Sequence, residues 1–259
     1  MNRQEKPIQT HALLKGKTVL VTAAAGTGIG FATAKRCVEE GAAVVMSDHH
    51  AERLAKSAEL IFTETGEKPK TVLCDVTNEE QVQNMMDYAV QSLGHLDILV
   101  NNAGLGGTCD VLTMKDEDWF KVIDVTLHGT FRCMRAGLKH MTARGSGVIV
   151  NNASVIGWRA QKGQSHYAAA KAGVMALTRC AALEVAKQGV RVNAVAPSLA
   201  MHPHLHKVTS PELLATLEER EAFGRAAEPS EVANVIIFLA SGYSSYMTGE
   251  VVSVSSQHP

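Results

Sequence analysis

Residues 18–30 read Thr18-Val-Leu-Val-Thr22-Ala-Ala-Ala-Gly26-Thr-Gly28-Ile-Gly30. A short apolar run passes straight into a glycine-bearing turn, and a helix-length segment, Ile29–Glu40, follows with Ile29, Ala32, Cys37 and Val38 directed inward. Glycines in such a turn let the backbone approach a pyrophosphate, and the helix start offers unpaired N–H groups and a partial positive charge. A glycine triplet alone marks an ordinary loop just as readily. Its position between a strand and a helix is what points to a dinucleotide, with Gly28, Ile29 and Gly30 as its candidate cradle.

The rest of the chain repeats the same alternation. Strand candidates are Thr18–Thr22, Ala43–Ser47, Lys70–Cys74, Ile98–Val100, Gly147–Asn151, Arg191–Val195 and Glu250–Val254. Most are continuous apolar runs, which suits strands covered on both faces. Helix candidates are Ala51–Glu64, Glu79–Ser92, Asp116–Thr142, Ser165–Lys187, Pro211–Glu221 and Pro229–Ala240, the last two opening on a proline. Strand followed by helix, repeated, predicts right-handed crossovers and an α/β, doubly wound parallel sheet in one domain over residues 15–259. Residues 1–14 are polar and read as a flexible arm. The stretch 199–225 departs from the alternation and reads as a lid over a site.

Bulk properties exclude several classes. Of 259 residues, 46% are apolar and 20% charged, with a net charge of −1, so disorder and a basic nucleic-acid surface are both disfavoured. No apolar run approaches a membrane span and residues 1–12 lack a signal-like stretch, so the expected location is cytoplasmic. The five cysteines form no Cys-x-x-Cys pair and read as reduced thiols. His202-Pro-His204-Leu-His206 resembles a metal comb, but no carboxylate or thiol stands nearby to complete a set, and no metal is expected.

Asp48 ends the second strand. A carboxylate there accepts from adenosine ribose hydroxyls and repels a 2′-phosphate, which favours NAD over NADP; the other reading is a cap for the helix that begins near Ala51. Asp75, at the end of the third strand, suits an adenine amino group or a simple turn. Asn101-Asn102-Ala103-Gly104 follows the fourth strand at the carboxyl edge, where ligands of such sheets bind. Tyr167-Ala-Ala-Ala-Lys171 sets a phenol and an ammonium on one helix face. Ser154, at the end of the fifth strand, belongs to the same layer. A free phenol has a pKa of about 10 and becomes a useful base only when nearby positive charge favours phenolate. Tyr167 would then exchange the proton of an alcohol or ketone, Lys171 would tune it and hold a ribose, and Ser154 would hold the substrate oxygen. Trp158, Arg159, Lys162 and His166 either line the substrate entrance or form a solvated loop.

Taken together these residues resemble the short-chain dehydrogenase/reductase family over nearly all of residues 17–254, through Gly28-Ile-Gly30, Asp48, Asp75-Val76, Asn101-Asn102-Ala103-Gly104, Ser154, Tyr167-x-x-x-Lys171 and Arg191-Val-Asn-Ala-Val-Ala-Pro197. The resemblance implies a seven-stranded sheet of Rossmann type, a homotetramer built on the two long helices, and further cofactor contacts at Val76, Asn102, Ala103 and Ala200. Within the family the chain is similar to bacterial 3-oxoacyl-thioester reductases. Ser154-Val-Ile-Gly-Trp-Arg-Ala-Gln is also similar to actinobacterial dehydrogenases that degrade steroid-ring CoA thioesters, so an acyl-CoA thioester is the implied substrate. Four departures from the family pattern stand out. Ala23 stands for the first glycine, with one extra residue before Gly28. Thr126 stands for an Asn that helps hold a relay water near the Lys. Pro197-Ser198 and His202 replace Pro-Gly and a Thr, and Ser255-Ser256 replaces an acidic-Gly-Gly ending. Other readings of the same residues are an NAD-binding sensor or scaffold with little turnover, and an epimerase or dehydratase on this fold.

Overall fold

The computed structural model describes residues 10–201 and 211–256. Seven parallel strands are hydrogen-bonded in the order β3-β2-β1-β4-β5-β6-β7: β1 Thr18–Val21, β2 Ala43–Asp48, β3 Lys70–Leu73, β4 Ile98–Asn101, β5 Gly147–Asn152, β6 Val190–Pro197 and β7 Val251–Val254. The helices are α1 Ile29–Glu39, α2 Ala51–Thr65, α3 Glu79–Leu93, α4 Asp116–Ile123, α5 Gly129–Arg144, α6 Ser165–Val185, α7 Pro211–Glu219 and α8 Pro229–Ala240. The strands read as unbroken apolar runs because both faces are covered. Val19, Val21 and Val44 pack toward α1 and α8, while Leu20, Val45, Leu99 and Ile149 pack toward α3, α5 and α6. The order reverses between β1 and β4, paired at Val19↔Ile98, and the crevice beyond their carboxyl ends is where this topology binds ligands.

Two expectations need correcting, and a third needs refining. The loose arm does not reach residues 11–14: Leu14 is buried, and His11 and Leu13 donate their N–H groups to the buried Glu40 carboxylate. Residues 1–9 lie outside the described part. The long helix expected over Asp116–Thr142 is present without a gap, but it contains a wide π turn, Asp124–His128, between α4 and α5, in which Thr126 is buried. Asp48 is not the cap of α2; His50 is, its Nδ1 accepting Arg53 N–H at 3.4 Å.

Of the expected lid, residues 202–210 lie outside the described residues, and His202, His204 and His206 with them. Its two ends are tied together by the Ala200–Ala227 bridge and by the buried Glu221, which accepts Leu199 N–H and the Ser256 hydroxyl. Ser256 thus holds Glu221 at the position where the family resemblance implies an acidic-Gly-Gly ending.

Candidate active site

The glycine turn lies over the end of β1. Ala23 has φ +49, a left-handed conformation that costs an L-residue on the order of 1 kcal/mol, and it stands where the family has glycine. The turn is pinned regardless. Ala24 N–H donates to Ser47 O at 2.9 Å, and Asn102 Nδ2 donates to the carbonyls of Ala23 and Thr22 at 3.0 and 3.2 Å. Gly26 has φ +89 and its N–H donates to Ser57 Oγ at 2.8 Å. Gly30 has no alternative, since a Cβ there would lie 2.3 Å from Ala23 O and 2.5 Å from Asn102 Nδ2. Open space surrounds Gly28, and the first turn of α1 has no side-chain cap and no acidic residue, so its N–H groups face outward unpaired.

Asp48 is buried beside this turn. Its Oδ2 accepts Ala25 N–H at 3.2 Å and its Oδ1 accepts His50 N–H at 3.0 Å, with His49 and Arg53 flanking it. Asp75 is exposed and closes a local turn on Thr77, as the plainer reading of it had it, and Asn78 caps α3. Burial works to raise the Asp75 pKa, but the Thr77 hydrogen bonds and nearby His49 and Arg132 outweigh it and hold the carboxyl below its ordinary value. Val76 is buried and its carbonyl accepts Arg132. Thr22 Oγ1 accepts the N–H groups of Asn102 and Ala103 at 3.0 and 3.1 Å, fixing the Asn102–Gly104 loop to β1.

The three proton-transfer candidates meet at the carboxyl edge. Ser154 begins the turn after β5, hydrogen-bonds to the Tyr167 phenol, and lies 3.3 Å from Pro197 O at the end of β6. Tyr167 is in the first turn of α6 and Lys171 one turn on, with its Nζ 5.5 Å from the Tyr167 ring centroid. Lys171 donates to the main-chain carbonyl of Asn152 and touches the space beside Gly104, where a Cβ would be 3.4 Å from Nζ. Burial pushes the Tyr167 phenol up to about 12, opposed only by the Ser154 hydrogen bond, and pushes Lys171 down to about 7. Neither group is activated by the other in this state; each charged form is penalised by desolvation.

Thr126 is buried, and its hydroxyl both accepts Leu105 N–H at 2.9 Å and donates to Leu105 O at 3.0 Å. It clamps the loop that follows Gly104. That loop lies on the site: Gly106 packs on the Tyr167 ring, and Gly107 on His166. His166 is buried under it, whereas Trp158 and Lys162 are exposed. Sequence reasoning missed Asn152, Thr22 and the Gly106-Gly107 cover; only the side-by-side asparagines of 101–102 and 151–152 hinted at the first. Ala200 and Ile29 are partly buried, after β6 and at the start of α1. Among the described residues no His, Cys, Asp or Glu cluster suits a metal, all five cysteines are unpaired, and no helix is long and apolar enough to cross a membrane.

Comparison with known proteins bears on the family and the fold. A family model described as enoyl-(acyl carrier protein) reductase matches residues 23–256. A (5R,7aS)-5-hydroxy-7a-methyl-1-oxo-2,3,5,6,7,7a-hexahydro-1H-indene-carboxyl-CoA reductase of Mycobacterium tuberculosis is 59% identical over 255 residues, covering 98% of this chain and 97% of the relative. A 3-oxoacyl-(acyl-carrier-protein) reductase of Thermotoga maritima is 40% identical over 244 residues, covering 93% and 97%. The crystal structure of a short chain dehydrogenase from Mycobacterium smegmatis superposes with a TM-score of 0.87 at 54% identity, covering 99% of both chains. With the fold, the glycine turn and the Ser154, Tyr167 and Lys171 arrangement all in place, the chain belongs to the short-chain dehydrogenase/reductase family.

Proposed function

We propose that the chain is an NAD(H)-dependent oxidoreductase that interconverts a secondary alcohol and a ketone on a hydroxyacyl- or oxoacyl-CoA thioester, with a fused-ring acyl group as the favoured substrate. The observation that carries this is the meeting of Ser154, Tyr167 and Lys171 beside an uncapped helix start and a glycine turn too tight for a Cβ at Gly30. The acyl-CoA assignment is supported by the 59% identity to a relative named as an indene-carboxyl-CoA reductase.

The residues fit a nicotinamide dinucleotide. The N–H groups of Gly28, Ile29 and Gly30 suit its pyrophosphate, Asp48 the adenosine ribose, and Asp75 with Val76 the adenine. Asn102, Ala103, Gly104, Tyr167, Lys171 and Ala200 suit the nicotinamide half. When bound, the nicotinamide supplies or accepts the hydride. Tyr167 exchanges the proton at the substrate oxygen, which Ser154 holds by a hydrogen bond. Lys171, anchored on Asn152 O, places positive charge near the phenol. Thr126 acts as a positioning residue through Leu105. NAD is favoured because the buried Asp48 carboxylate repels a 2′-phosphate. Phe120, Phe131 and Leu183, exposed on α4, α5 and α6, support a homotetramer.

The test is a fluorescence titration with NADH and NADPH, followed by turnover assays on oxoacyl-CoA and hydroxyacyl-CoA thioesters with linear and fused-ring acyl groups. Tighter NADH binding and fastest turnover of fused-ring thioesters are expected. Absence of cofactor binding, or binding with no turnover of any thioester, counts against the reading.

A further inference from the structure

Two asparagine pairs stand side by side across the carboxyl ends of β4 and β5. In the inner pair Asn101 Nδ2 donates to Asn151 Oδ1 at 2.9 Å, and Asn151 Nδ2 passes the chain on to Thr178 Oγ1 at 2.9 Å. In the outer pair Asn152 Nδ2 donates to Asn102 Oδ1 at 2.9 Å, and Asn102 Nδ2 reaches the strained Ala23 turn. The main-chain carbonyl of Asn152 receives Lys171 Nζ. One residue therefore joins the candidate proton-transfer lysine to the pyrophosphate turn, through hydrogen bonds that run across β5, β4 and β1.

Each pair leaves one amide oxygen without a donor among the described residues, Asn101 Oδ1 in the inner pair and Asn152 Oδ1 in the outer, and only the outer residue also holds Lys171. Asn152 Oδ1 is shielded from solvent. Leaving a buried acceptor unpaired costs about 1–3 kcal/mol, so such atoms are normally matched. The donor end of the amide is already committed to Asn102, which fixes the oxygen at the other end. The lysine that would be its natural partner is engaged on the carbonyl of the same residue. What is lacking is a neutral hydroxyl-type donor, located beside Lys171 and the Asn102–Gly104 loop.

We propose that Asn152 is a cofactor-contacting residue whose Oδ1 accepts a hydroxyl of the nicotinamide-side ribose, next to the contact made by Lys171. This rests on the dinucleotide reading above and adds to it a specific acceptor. Asn102, braced by the same amide, then holds the glycine turn in register with the ribose.

The experiment measures Kd for NADH by fluorescence, and for AMP by competition, on the wild-type enzyme and on Asn152→Leu and Asn152→Asp. AMP occupies only the adenosine end and serves as a control for general damage. NADH binding is expected to weaken about tenfold in Asn152→Leu. AMP binding stays within twofold, and Asn152→Asp, which keeps an acceptor in place, stays within threefold of wild type for NADH. Asn152→Ser, too short to reach, is expected to match Asn152→Leu and carries the test if the leucine variant does not fold. Unchanged NADH affinity in Asn152→Leu overturns the assignment. So does a parallel loss for AMP, or an Asp variant as weak as the Leu variant, because each places the effect in the brace rather than the ribose contact. A wild-type enzyme that binds AMP but not NADH removes the oxidoreductase reading itself and the assignment with it.

Discussion

Lys171 Nζ donates to the main-chain carbonyl of Asn152, not to the phenol of Tyr167. The amine lies 5.5 Å from the centre of the Tyr167 ring, near enough to act on it through space. Burial lowers Lys171 to about 7 and raises Tyr167 to about 12. The simple expectation that a neighbouring ammonium makes the phenol acidic therefore does not describe the protein alone. Phenolate becomes favourable when positive charge is added beside the ring.

The depressed Lys171 pKa has a consequence for stability. An unfolded lysine titrates at about 10.4. Between pH 7 and 10 the unfolded chain holds a proton that the folded chain has released, so this group makes stability rise with pH in that window. Below pH 7 both states are protonated and the full burial penalty applies. Above pH 10 the raised Tyr167 pKa acts in the opposite sense, because the folded chain keeps a proton that the unfolded chain loses. Urea unfolding of cofactor-free enzyme from pH 7 to 9.5 is expected to show a smaller rise in stability for Lys171→Met than for wild type. Equal slopes would count against a desolvated lysine.

Thr126→Val keeps the shape of the side chain but removes the one hydroxyl that pairs with both the N–H and the carbonyl of Leu105. It is expected to cost about 2 kcal/mol of stability and to lower kcat at least tenfold, with the loop over Tyr167 loosened. Thr126→Asn, which offers a donor and an acceptor, is expected to recover most of both. Thermal melts and steady-state rates on the two variants decide this.

Asp48→Ser removes the charge that opposes a 2′-phosphate and keeps a group able to bond a ribose hydroxyl. The ratio of kcat/KM for NADPH over NADH is expected to rise at least tenfold. Because Asp48 also accepts from Ala25 and His50, about 1–2 kcal/mol of stability goes with it. An unchanged ratio would place cofactor choice elsewhere.

Gly30→Ala puts a methyl group 2.3 Å from Ala23 O. The turn must open, and since Ala23 is already strained, little is available to absorb the shift. Destabilisation of about 3 kcal/mol and loss of NADH binding are expected. Gly28→Ala, with open space around it, is expected to retain the fold and lose only cofactor affinity; circular dichroism melts with NADH titration separate the two.

Much of the fold was legible because two periodicities carry it. Continuous runs such as Val19–Val21 and Ile98–Val100, set between helix-length segments, suit strands covered on both sides, and the order of strands and helices then predicts a parallel sheet. The site was legible where chemistry needs a fixed spacing, as for Tyr167 and Lys171 on one helix face. It was not legible where backbone decides. Nothing at Asp124–His128 announces a π turn, yet that turn aims Thr126 at Leu105. Asp48 is the better cap on paper, yet its carboxylate is taken by the Ala25 and His50 N–H groups and the cap falls to His50. The role of Asn152 depends on a neighbouring strand fifty residues away in the chain, which no local pattern encodes.

The central claim is that Tyr167 transfers the substrate proton in a site that binds the dinucleotide independently of that hydroxyl. Its most direct test is Tyr167→Phe, followed by NADH fluorescence titration and by turnover of a fused-ring oxoacyl-CoA thioester on the same preparation. The account predicts NADH affinity within about threefold of wild type and a kcat at least about a thousandfold lower. A phenylalanine variant that turns over within tenfold of wild type would contradict it.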